Sequence, residues 1–570
     1  MNENRNLLVA FGLSIIIMLG FYQFYEKPRQ EQLMQQRTVA QMALKQAQTQ
    51  AVLPATTKAV APVIPEQTVV KQSARIAIQN ESISGSIRQI GAVLDDILLV
   101  KYTENTDPSS PKIRLLENET TEHGYSVVGG WKSANNSDVG TMPNETTNWQ
   151  IQGEHNKLTP EHPITLAWFN DRGIKFERII SIDNKYLITT TDKVTNHGET
   201  PVNLQAYSQI RRKNPPKSQG FYILHEGPIG YFNNKLFEGS YEDLTTTPVT
   251  QNSTSGWFGF TDKFWLVSLI PNPKSVVNIE YGYQNDTHTA QFTANPITIK
   301  PGETSSYTYQ VFAGAKVLSL LDDYEPKIGV AHFDLAVDFG WFYFLTKPLF
   351  YILEYFHELL GNLGLAILAL TIVFKMLLYP MATKSYRSMA RLKNLQPKIA
   401  QVQNVYKNDR TRLSQELMAL YKKEKVNPAG GCLPILIQAP IFFCLYKVLF
   451  VSIEMRHAPF FGWIHDLAAP DPTSFANLFG LLPFSAPSFL QIGIWPILMG
   501  ITMVIQQRMN PQPADPAQAK VMMIMPIMFT YLFASFPAGL VVYWTWNNLL
   551  SMAQQWLITK QMSKKQSHNK

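Results

Sequence analysis

The sequence predicts a multi-domain membrane protein: an N-terminal transmembrane anchor, an antiparallel β-sandwich outside the cytoplasm, and an α-helical five-span membrane core with a cytoplasmic helical hairpin. Three observations lead to this prediction. Apolar residues of the 570-residue chain are concentrated near the N-terminus and after about residue 340. Short alternating runs separated by turn residues fill the stretch between them. A loop rich in Lys and Arg separates the first two apolar segments of the C-terminal third.

Residues 1–25 are predicted to form the N-terminal anchor. Leu7 to Tyr25 is an apolar run of 19 residues, which is long enough to span a bilayer. The run ends in Tyr-Gln-Phe-Tyr-Glu-Lys-Pro, without the small residues of a signal cleavage site, so we expect the anchor to stay uncleaved. Residues 26–73 are rich in Gln, Ala, Thr and Pro, and they are predicted to form a flexible linker because they have few large apolar groups to bury.

Residues 74–336 are predicted to form the β-sandwich. Apolar and polar residues alternate in Arg75 to Gln79 and in Phe176 to Ile182, and strong helical periods are missing. The stretch has no Gly-rich phosphate loop, no nucleophile motif and no metal-ligand spacing, and its histidines are scattered. A scaffold or docking surface is therefore favoured over an active site.

Residues 337–360 are predicted to form an amphipathic helix at the membrane interface. Aromatic residues surround Lys347-Pro348, and Glu354, His357 and Glu358 recur at helical spacing, a pattern typical of helices that lie in the interface. The segment from Gly361 to Gly364 favours a break after this helix. The five-span core, residues 361–560, follows with apolar segments at 363–379, 432–450, 489–505, 521–536 and 540–558.

The connection between the first two core spans, residues 381–427, is predicted to be a cytoplasmic helical hairpin. It holds eleven Lys or Arg residues against three acidic residues, and a short loop with such an excess stays on the cytoplasmic side. A turn is predicted at Lys407-Asn408-Asp409, and Pro428, Gly430 and Gly431 form a predicted hinge. Apolar residues at spacings of three and four indicate two facing helices: Leu392, Leu395, Ile399, Val402, Tyr406, Leu413, Leu417 and Leu420.

The hairpin fixes the predicted topology. One span back from it, the β-domain lies outside the cytoplasm and the N-terminus lies inside; four spans forward, the basic tail, residues 561–570, lies inside. The loop between the second and third core spans has Arg456 as its only Lys or Arg, as expected of an outside loop. The net charge of +7 is therefore attributed to membrane topology before nucleic-acid binding.

A lysine, Lys375, lies inside the first core span. A charge at the bilayer centre costs about 2.5–3.5 kcal/mol on insertion scales, so its default interpretation is functional. However, Lys375 precedes Pro380 by only five residues, and a lysine near a helix end can extend its ammonium group to the nearer headgroups. Both interpretations stay open from this stretch alone.

Several runs in the core carry a resemblance to a known family. They are Lys422-Lys-Glu-Lys-Val-Asn-Pro-Ala-Gly-Gly-Cys-Leu-Pro434, Leu395-Gln-Pro-Lys-Ile399, Leu436-Ile-Gln-Ala-Pro-Ile-Phe442 and Phe536-Pro-Ala-Gly-Leu540. On these runs the chain resembles the YidC membrane-protein insertases of Gram-negative bacteria. The match is specific in the core and architectural in the β-domain.

The resemblance implies a protein that inserts and folds integral membrane proteins in the bacterial inner membrane, alone or beside the Sec translocon and its accessory subunits. The β-domain is then periplasmic, and both termini are cytoplasmic. The implied partners are nascent membrane proteins, the lipid bilayer, and the ribosome through the basic hairpin and tail. No specific nucleic-acid sequence, cofactor or metal is expected.

The resemblance also implies a wet, positively charged groove that is open to cytoplasm and lipid and closed toward the outside. Lys375 matches the central groove cation, for which the family usually has arginine. Trp544 matches an aromatic position at which the family often has tyrosine. The implied substrate-groove positions are Lys375, Thr371, Gln438, Tyr543, Trp544 and Asn548.

Two other classes of protein compete with this interpretation. A secondary transporter or channel would contain repeats and paired intramembrane charges, whereas the spans contain no acidic partner for the central cation. An envelope structural or sensor protein would use the β-domain and would not need an eleven-cation hairpin. An enzyme is disfavoured because no acid–base or nucleophile constellation is present.

Overall fold

The computed structural model describes residues 74–107, 109–134, 139–216, 224–340, 342–406, 409–424, 426, 433–480, 482, 487, 490–511 and 516–568. The predicted anchor, the linker, the hinge residues Pro428, Gly430 and Gly431, and the turn residues Lys407 and Asn408 lie outside this set. The chain divides into two compact units. One ends at Asp338, and the other contains the residues from Phe339 onward.

The first unit contains twenty described strands. They are β1 Arg75–Gln79, β2 Ile83–Arg88, β3 Val93–Thr103, β4 Lys112–Leu116, β5 Tyr125–Ser133, β6 Gln150–Gln152, β7 Lys157–Leu158, β8 Ile164–Phe169, β9 Ile174–Ile182, β10 Leu187–Asn196, β11 Val202–Lys213, β12 Gly227–Phe232, β13 Lys235–Glu238, β14 Val249–Ser253, β15 Gly256–Thr261, β16 Trp265–Ile270, β17 Val277–Gln284, β18 Thr287–Ala294, β19 Ile297–Ile299 and β20 Thr304–Ala315. Two helices accompany them, α1 Tyr241–Thr246 and α2 Leu318–Ile328.

These strands form two sheets. The first has the order β14-β17-β18-β11-β5-β3-β2-β1-β7, with β19 beside β11 and β4 beside β3. The second has the order β13-β12-β15-β16-β20-β10-β9-β8-β6. The pairings are antiparallel apart from β1 with β7. The prediction of a largely antiparallel β-sandwich is therefore confirmed for the described residues.

Strand β9 illustrates how the sequence builds this core. Every second residue from Ile174 to Ile182 is buried, because successive side chains of a strand point to opposite faces of its sheet. One of the buried positions is Arg178, whose guanidinium group donates to both carboxylate oxygens of Asp192 at 2.7 and 3.0 Å. Its remaining Nη1 donates to the carbonyl of Ala92, the residue before β3, at 3.3 Å. The buried ion pair therefore lies between neighbouring strands of the second sheet, and the same guanidinium group reaches a residue next to the first sheet.

The second unit is helical. Its described helices are α3 Tyr343–Leu360, α4 Leu363–Leu377, α5 Tyr379–Val405, α6 Arg410–Lys423, α7 Leu433–Val451, α8 Ile494–Met509, α9 Pro516–Phe533 and α10 Ala538–His568. Helix α10 packs against α4, α5, α7 and α8, while α3 packs against α4 and α7. Helix α10 is therefore the central element of this unit.

Two interruptions divide α3, α4 and α5. Gly361 ends α3 with a φ of 66°, a left-handed conformation that glycine adopts without steric cost, and the Asn362 side chain accepts from the backbone N–H of Leu365 to begin α4. At Leu378 the chain bends by 70° into α5. By length and composition, the α4–α5 pair together passes as a membrane crossing, whereas no single helix among the described residues does.

Helices α5 and α6 pack against each other as the sequence predicts. Leu395, Ile399 and Leu417 form a buried apolar cluster with Val426. The partly buried residues around it include most of the predicted seam: Leu392, Val402, Leu413 and Leu420. Lys398 and Glu424 add an ion pair at 2.7 Å between the two arms. The arms are thus held together mainly by an apolar seam.

Candidate functional site

The charged residue of the first core span faces the central helix. Lys375, in the last turn of α4, donates from Nζ to the Ser551 hydroxyl of α10 at 2.7 Å. Ser551 in turn donates to the carbonyl of Asn547 at 2.7 Å. Tyr386 on α5 lies close enough to the same serine to interact with it. The ammonium group is therefore half-buried between three helices, with a hydroxyl as its described partner.

Thr371 lies one turn before Lys375 and is buried, with 2% of its surface exposed. Its hydroxyl donates to the carbonyl of Ile367 at 2.7 Å. This bond satisfies the hydroxyl within its own helix, so Thr371 contributes a small buried side chain to α4.

Helix α7 contributes an amide to the same helical unit. Gln438 donates from Nε2 to the phenolic oxygen of Tyr543, and the tyrosine is buried. The neighbouring Trp544 packs against two phenylalanines instead, with ring centroids at 4.7 Å from Phe442 and 5.1 Å from Phe533. The two adjacent aromatic residues therefore have different surroundings, the first polar and the second apolar.

Asn548, one turn after Trp544, points toward α8. Its Nδ2 donates to the Thr502 hydroxyl at 3.1 Å, and both side chains are buried. The predicted positions are thus brought together through α10, with Lys375, Gln438 and Thr502 arriving on three other helices. Thr502 and Ser551 are functional candidates that the sequence reasoning missed.

A signal for these missed residues exists in the sequence. Polar residues recur along α10 at Asn547 and Asn548, then Ser551, then Gln554 and Gln555, at spacings that keep them on adjacent faces of a helix. Among the described residues, four buried polar atoms of α10 have no hydrogen-bond partner: Trp546 Nε1, Asn547 Oδ1, Gln554 Nε2 and Gln555 Oε1. Buried polar atoms of this kind are normally satisfied by water or by a ligand.

The loop between α7 and α8, called the outer loop after its predicted position, covers the start of α8 with a network of hydrogen bonds among its described residues. Asp471 is buried, and its Oδ1 accepts from Trp463 Nε1 at 3.1 Å and from the N–H of Thr473 at 3.0 Å. Its Oδ2 accepts from the N–H of Trp495 at 2.9 Å. A carboxylate at this position also complements the positive end of the helix dipole, so the loop is fixed onto the end of α8.

The same loop contacts the start of α10. The N–H groups of Ala538 and Gly539 donate to the carbonyls of Ala469 and Leu467 at 2.7 and 3.0 Å. At the opposite end of the unit, Lys393 of α5 donates to the carbonyl of Met509 at 3.3 Å. Loop contacts therefore cover two helix starts, and the long helix α5 is attached to the end of α8.

The β-sandwich unit contains one acidic group that could hold a cation among the described residues. Oxygen atoms of Asp322, Glu325 and Asp334 lie within 4.8 Å of one another. Glu325 also accepts from the N–H of Asp334 at 3.3 Å, so the group stabilises the corner after α2. Oxygen sets suit hard cations, but grouped acidic residues are common without one, and the expectation of no metal stays a prediction.

Comparison with known proteins identifies the architecture. A family model described as "YidC periplasmic domain" matches residues 75–352. A second, described as "60Kd inner membrane protein", matches residues 355–566. A β-sandwich followed by a helical region is therefore the architecture of an inner-membrane protein with a periplasmic domain.

Full-length relatives refine this class. "Membrane protein insertase YidC" of Rickettsia bellii (strain OSU 85-389) is 46% identical over 567 residues, which is 98% of this chain and 100% of the relative. The protein of the same name from Rickettsia prowazekii (strain Madrid E) is 46% identical over 571 residues, with the same coverage. A solved structure, "Active YidC insertase crystal structure with the first transmembrane domain resolved", covers 84% of this chain and 91% of its own at 17% identity and a TM-score of 0.35.

The chain belongs to the YidC family of membrane protein insertases. The resemblance stated from the core motifs is therefore confirmed. The relatives are named as insertases, which also confirms that the protein is not an enzyme and sets aside the transporter and sensor interpretations.

Proposed function

We propose that this protein inserts and folds nascent integral membrane proteins through a polar groove formed by α4, α7 and α10, alone or together with the Sec translocon. The observation that carries the proposal is the contact between Lys375 and Ser551, beside a row of buried polar atoms on α10. A packed structural bundle has no need for such a row, because buried polar groups without partners are costly.

The groove lowers the cost of moving a polar segment across the membrane. Each unsatisfied backbone group costs several kcal/mol in hydrocarbon. Gln554 Nε2 offers a donor, and Asn547 Oδ1 and Gln555 Oε1 offer acceptors, without protein partners among the described residues. Water there would extend a polar path part of the way across. The substrate then has a shorter apolar distance to cross.

Each predicted groove residue has a distinct proposed role. Lys375 attracts acidic side chains in the outer segment of the substrate. The Gln438–Tyr543 pair and the Asn548–Thr502 pair hold the polar wall in place. Trp544, supported by two phenylalanine rings, provides an aromatic surface for an apolar substrate helix, and Thr371 supports the position of Lys375 from one turn earlier in α4.

The proposed topology places both termini in the cytoplasm, with one anchor and five core spans. The hydrogen bonds from the outer loop to the starts of α8 and α10 support a groove that is closed on the periplasmic side. The excess of Lys and Arg in the hairpin supports a cytoplasmic position for the other side of the groove. Substrates therefore enter from the cytoplasm and leave sideways into lipid.

Deleting residues 74–336 is expected to leave insertion within about threefold of the intact protein, a difference of less than ~0.7 kcal/mol in activation free energy. The reason is that all the proposed groove residues lie in the helical unit. The measurement is protease protection of a small two-span test protein inserted into vesicles that contain the shortened insertase. A matched shortened protein with Lys375→Glu is the inactive control, and complete loss of insertion in the shortened protein alone would place the working part in the β-domain.

The basic tail is proposed as a ribosome contact. Replacing Lys564, Lys565 and Lys570 by Gln is expected to lower ribosome co-sedimentation at low salt at least threefold, taking ~0.2–1 kcal/mol for each charge. The difference should disappear at high salt because mobile ions screen such contacts. A matched variant in which the same lysines become Arg keeps the charge and should bind normally. Undiminished co-sedimentation of the Gln variant would exclude the tail.

A further inference from the structure

A buried carboxyl group lies at the outer end of α7, away from the groove residues. After α7 ends at Val451, the Ser452 hydroxyl donates back to the carbonyl of Val448 at 2.8 Å. A short 3-10 turn, Ile453–Met455, then carries Glu454. Both carboxyl oxygens of Glu454 are buried, and no described residue hydrogen-bonds them. An ionised carboxylate is costly in such a place.

Helix α3 packs against α7, the helix that this turn follows. Thr346, Leu349 and Leu353 are among the buried residues of α3, and Thr346 lies beside Cys444 on α7. The next residue after Leu353 is Glu354, whose negative charge acts on Glu454. Glu354 therefore lies close enough for its charge to act on Glu454, on a helix that packs against α7.

We propose that Glu454 and Glu354 form a pH-sensitive latch between α3 and the outer end of α7, closed while Glu454 holds a proton and opened when both carboxyl groups are ionised. The latch belongs to the wall of the helical unit. Its test measures helix separation, so its failure would leave the insertase proposal unaffected.

The direction of the pH effect follows from the two carboxyl groups. Burial raises the pKa of Glu454 from its usual 4.5 to about 7, and the charge of Glu354 acts in the same direction. Burial also raises the pKa of Glu354. A group with a higher pKa in the packed arrangement binds more protons there, so packing loses stability as the pH rises from about 4.5 to about 7. Above that range the loss is complete.

Other titrating groups surround this pair. On α3, Glu358 raises and His357 lowers the pKa of Glu354. On the outer loop, burial lowers the pKa of His457, with Arg456 acting in the same direction and Asp466 opposing it.

The other packed helices add few charges here. Lys447, two turns before Glu454 along α7, lies beside Gly340. Helix α10 has no Asp, Glu, Lys, Arg or His between Ala538 and Ile558. The charged residues of α5 belong to the basic hairpin. Removing the carboxyl group of Glu454 alone therefore distinguishes a pH effect of the latch from a pH effect of the nearby histidines.

The test is a distance measurement between spin labels on α3 and α7. Labels replace Tyr355 and Phe443, which are 62% and 55% exposed, in the full-length chain with Cys432→Ser. Cys444 is kept because it is fully buried and belongs to the packing under test. Samples in lipid nanodiscs are frozen at about pH 5 and about pH 8.5, on either side of the expected midpoint. Freezing at a fixed pH removes any effect of pH on the labelling reaction.

With Glu454 present, we expect one short distance at low pH and a longer, broader distribution at high pH, with a midpoint near 7. Glu454→Gln should keep the short distance at both pH values, and Glu354→Gln should reduce the opening. Glu416→Gln, at an exposed acidic residue of α6, is the matched control and should open like the native chain. An unchanged distance in the native chain, or opening that persists in Glu454→Gln, would overturn the latch.

Discussion

Replacing Lys375 by Glu is expected to abolish the insertion of substrates with acidic outer tails. A cation in the groove attracts a carboxylate by about 4 kcal/mol at 4 Å and an effective dielectric constant of 20, and the substitution changes this attraction into repulsion. Lys375→Ala should lower insertion by at least tenfold, about 1.4 kcal/mol or more, whereas Lys375→Arg should retain it. The measurement is protease protection of a two-region test protein in vesicles.

The controls separate the charge from the packing at this position. A test protein with a neutral outer tail should be much less sensitive to Lys375→Glu, because it offers no carboxylate to the groove. Ser551→Ala keeps the charge but removes its described partner, and it should have a smaller effect than Lys375→Ala. If all Lys375 variants insert every substrate equally, the lysine only positions its ammonium group at the headgroups, and the proposed role passes to Tyr543 and Trp544.

Replacing Arg178 by Met is expected to destabilise the β-sandwich by about 3–5 kcal/mol, because the change leaves a buried carboxylate without its cation. Both Arg178 and Asp192 have 3% of their side-chain surface exposed. Although burial disfavours the charged guanidinium group, the neighbouring carboxylate raises the pKa of Arg178 above its usual value. The ion pair therefore stays charged inside the sandwich.

The measurement is denaturant unfolding of the full-length protein followed by tryptophan fluorescence. Trp149 is a suitable reporter because its ring lies 5.8 Å from the Arg178 guanidinium carbon. A double variant, Arg178→Met with Asp192→Leu, should recover most of the stability, since replacing a buried pair by apolar side chains is often neutral. A double variant as unstable as the single one would contradict this account. Insertion should survive both changes if the groove acts independently of the β-domain.

Much of this fold follows from short-range patterns. The alternation of apolar residues around Phe176 and Ile180 predicts a strand with one buried face, and the structure has it. The spacing of Leu395, Ile399 and Leu417 predicts the seam of the hairpin, and these residues form its buried cluster. Such patterns predict buried faces because backbone geometry alone decides which residues of a helix or strand share a face.

The partners inside the site were not predictable in the same way. Lys375 and Ser551 are 176 residues apart, and periodicity gives no information about which distant residue a side chain meets. An arginine in strand β9 would also be expected at the surface from its residue type. Its burial is explained only by its ion pair with Asp192. The resemblance to the insertase family supplied the positions of Gln438 and Asn548, but their hydrogen-bond partners emerged only from the packing of α7, α8 and α10.

The 70° bend at Leu378 allows α5, the first arm of the hairpin, to act as a lever. Helix α5 has 27 residues, so at 1.5 Å per residue it is a lever about 40 Å long. A rotation of only about five degrees at the bend would move the far end of α5 by roughly 3 Å. The hydrogen bond from Lys393 to Met509, part of the way along α5, would oppose this motion. A partner that pushes on the distal end of the hairpin would therefore produce a much smaller displacement where α5 begins, next to Lys375.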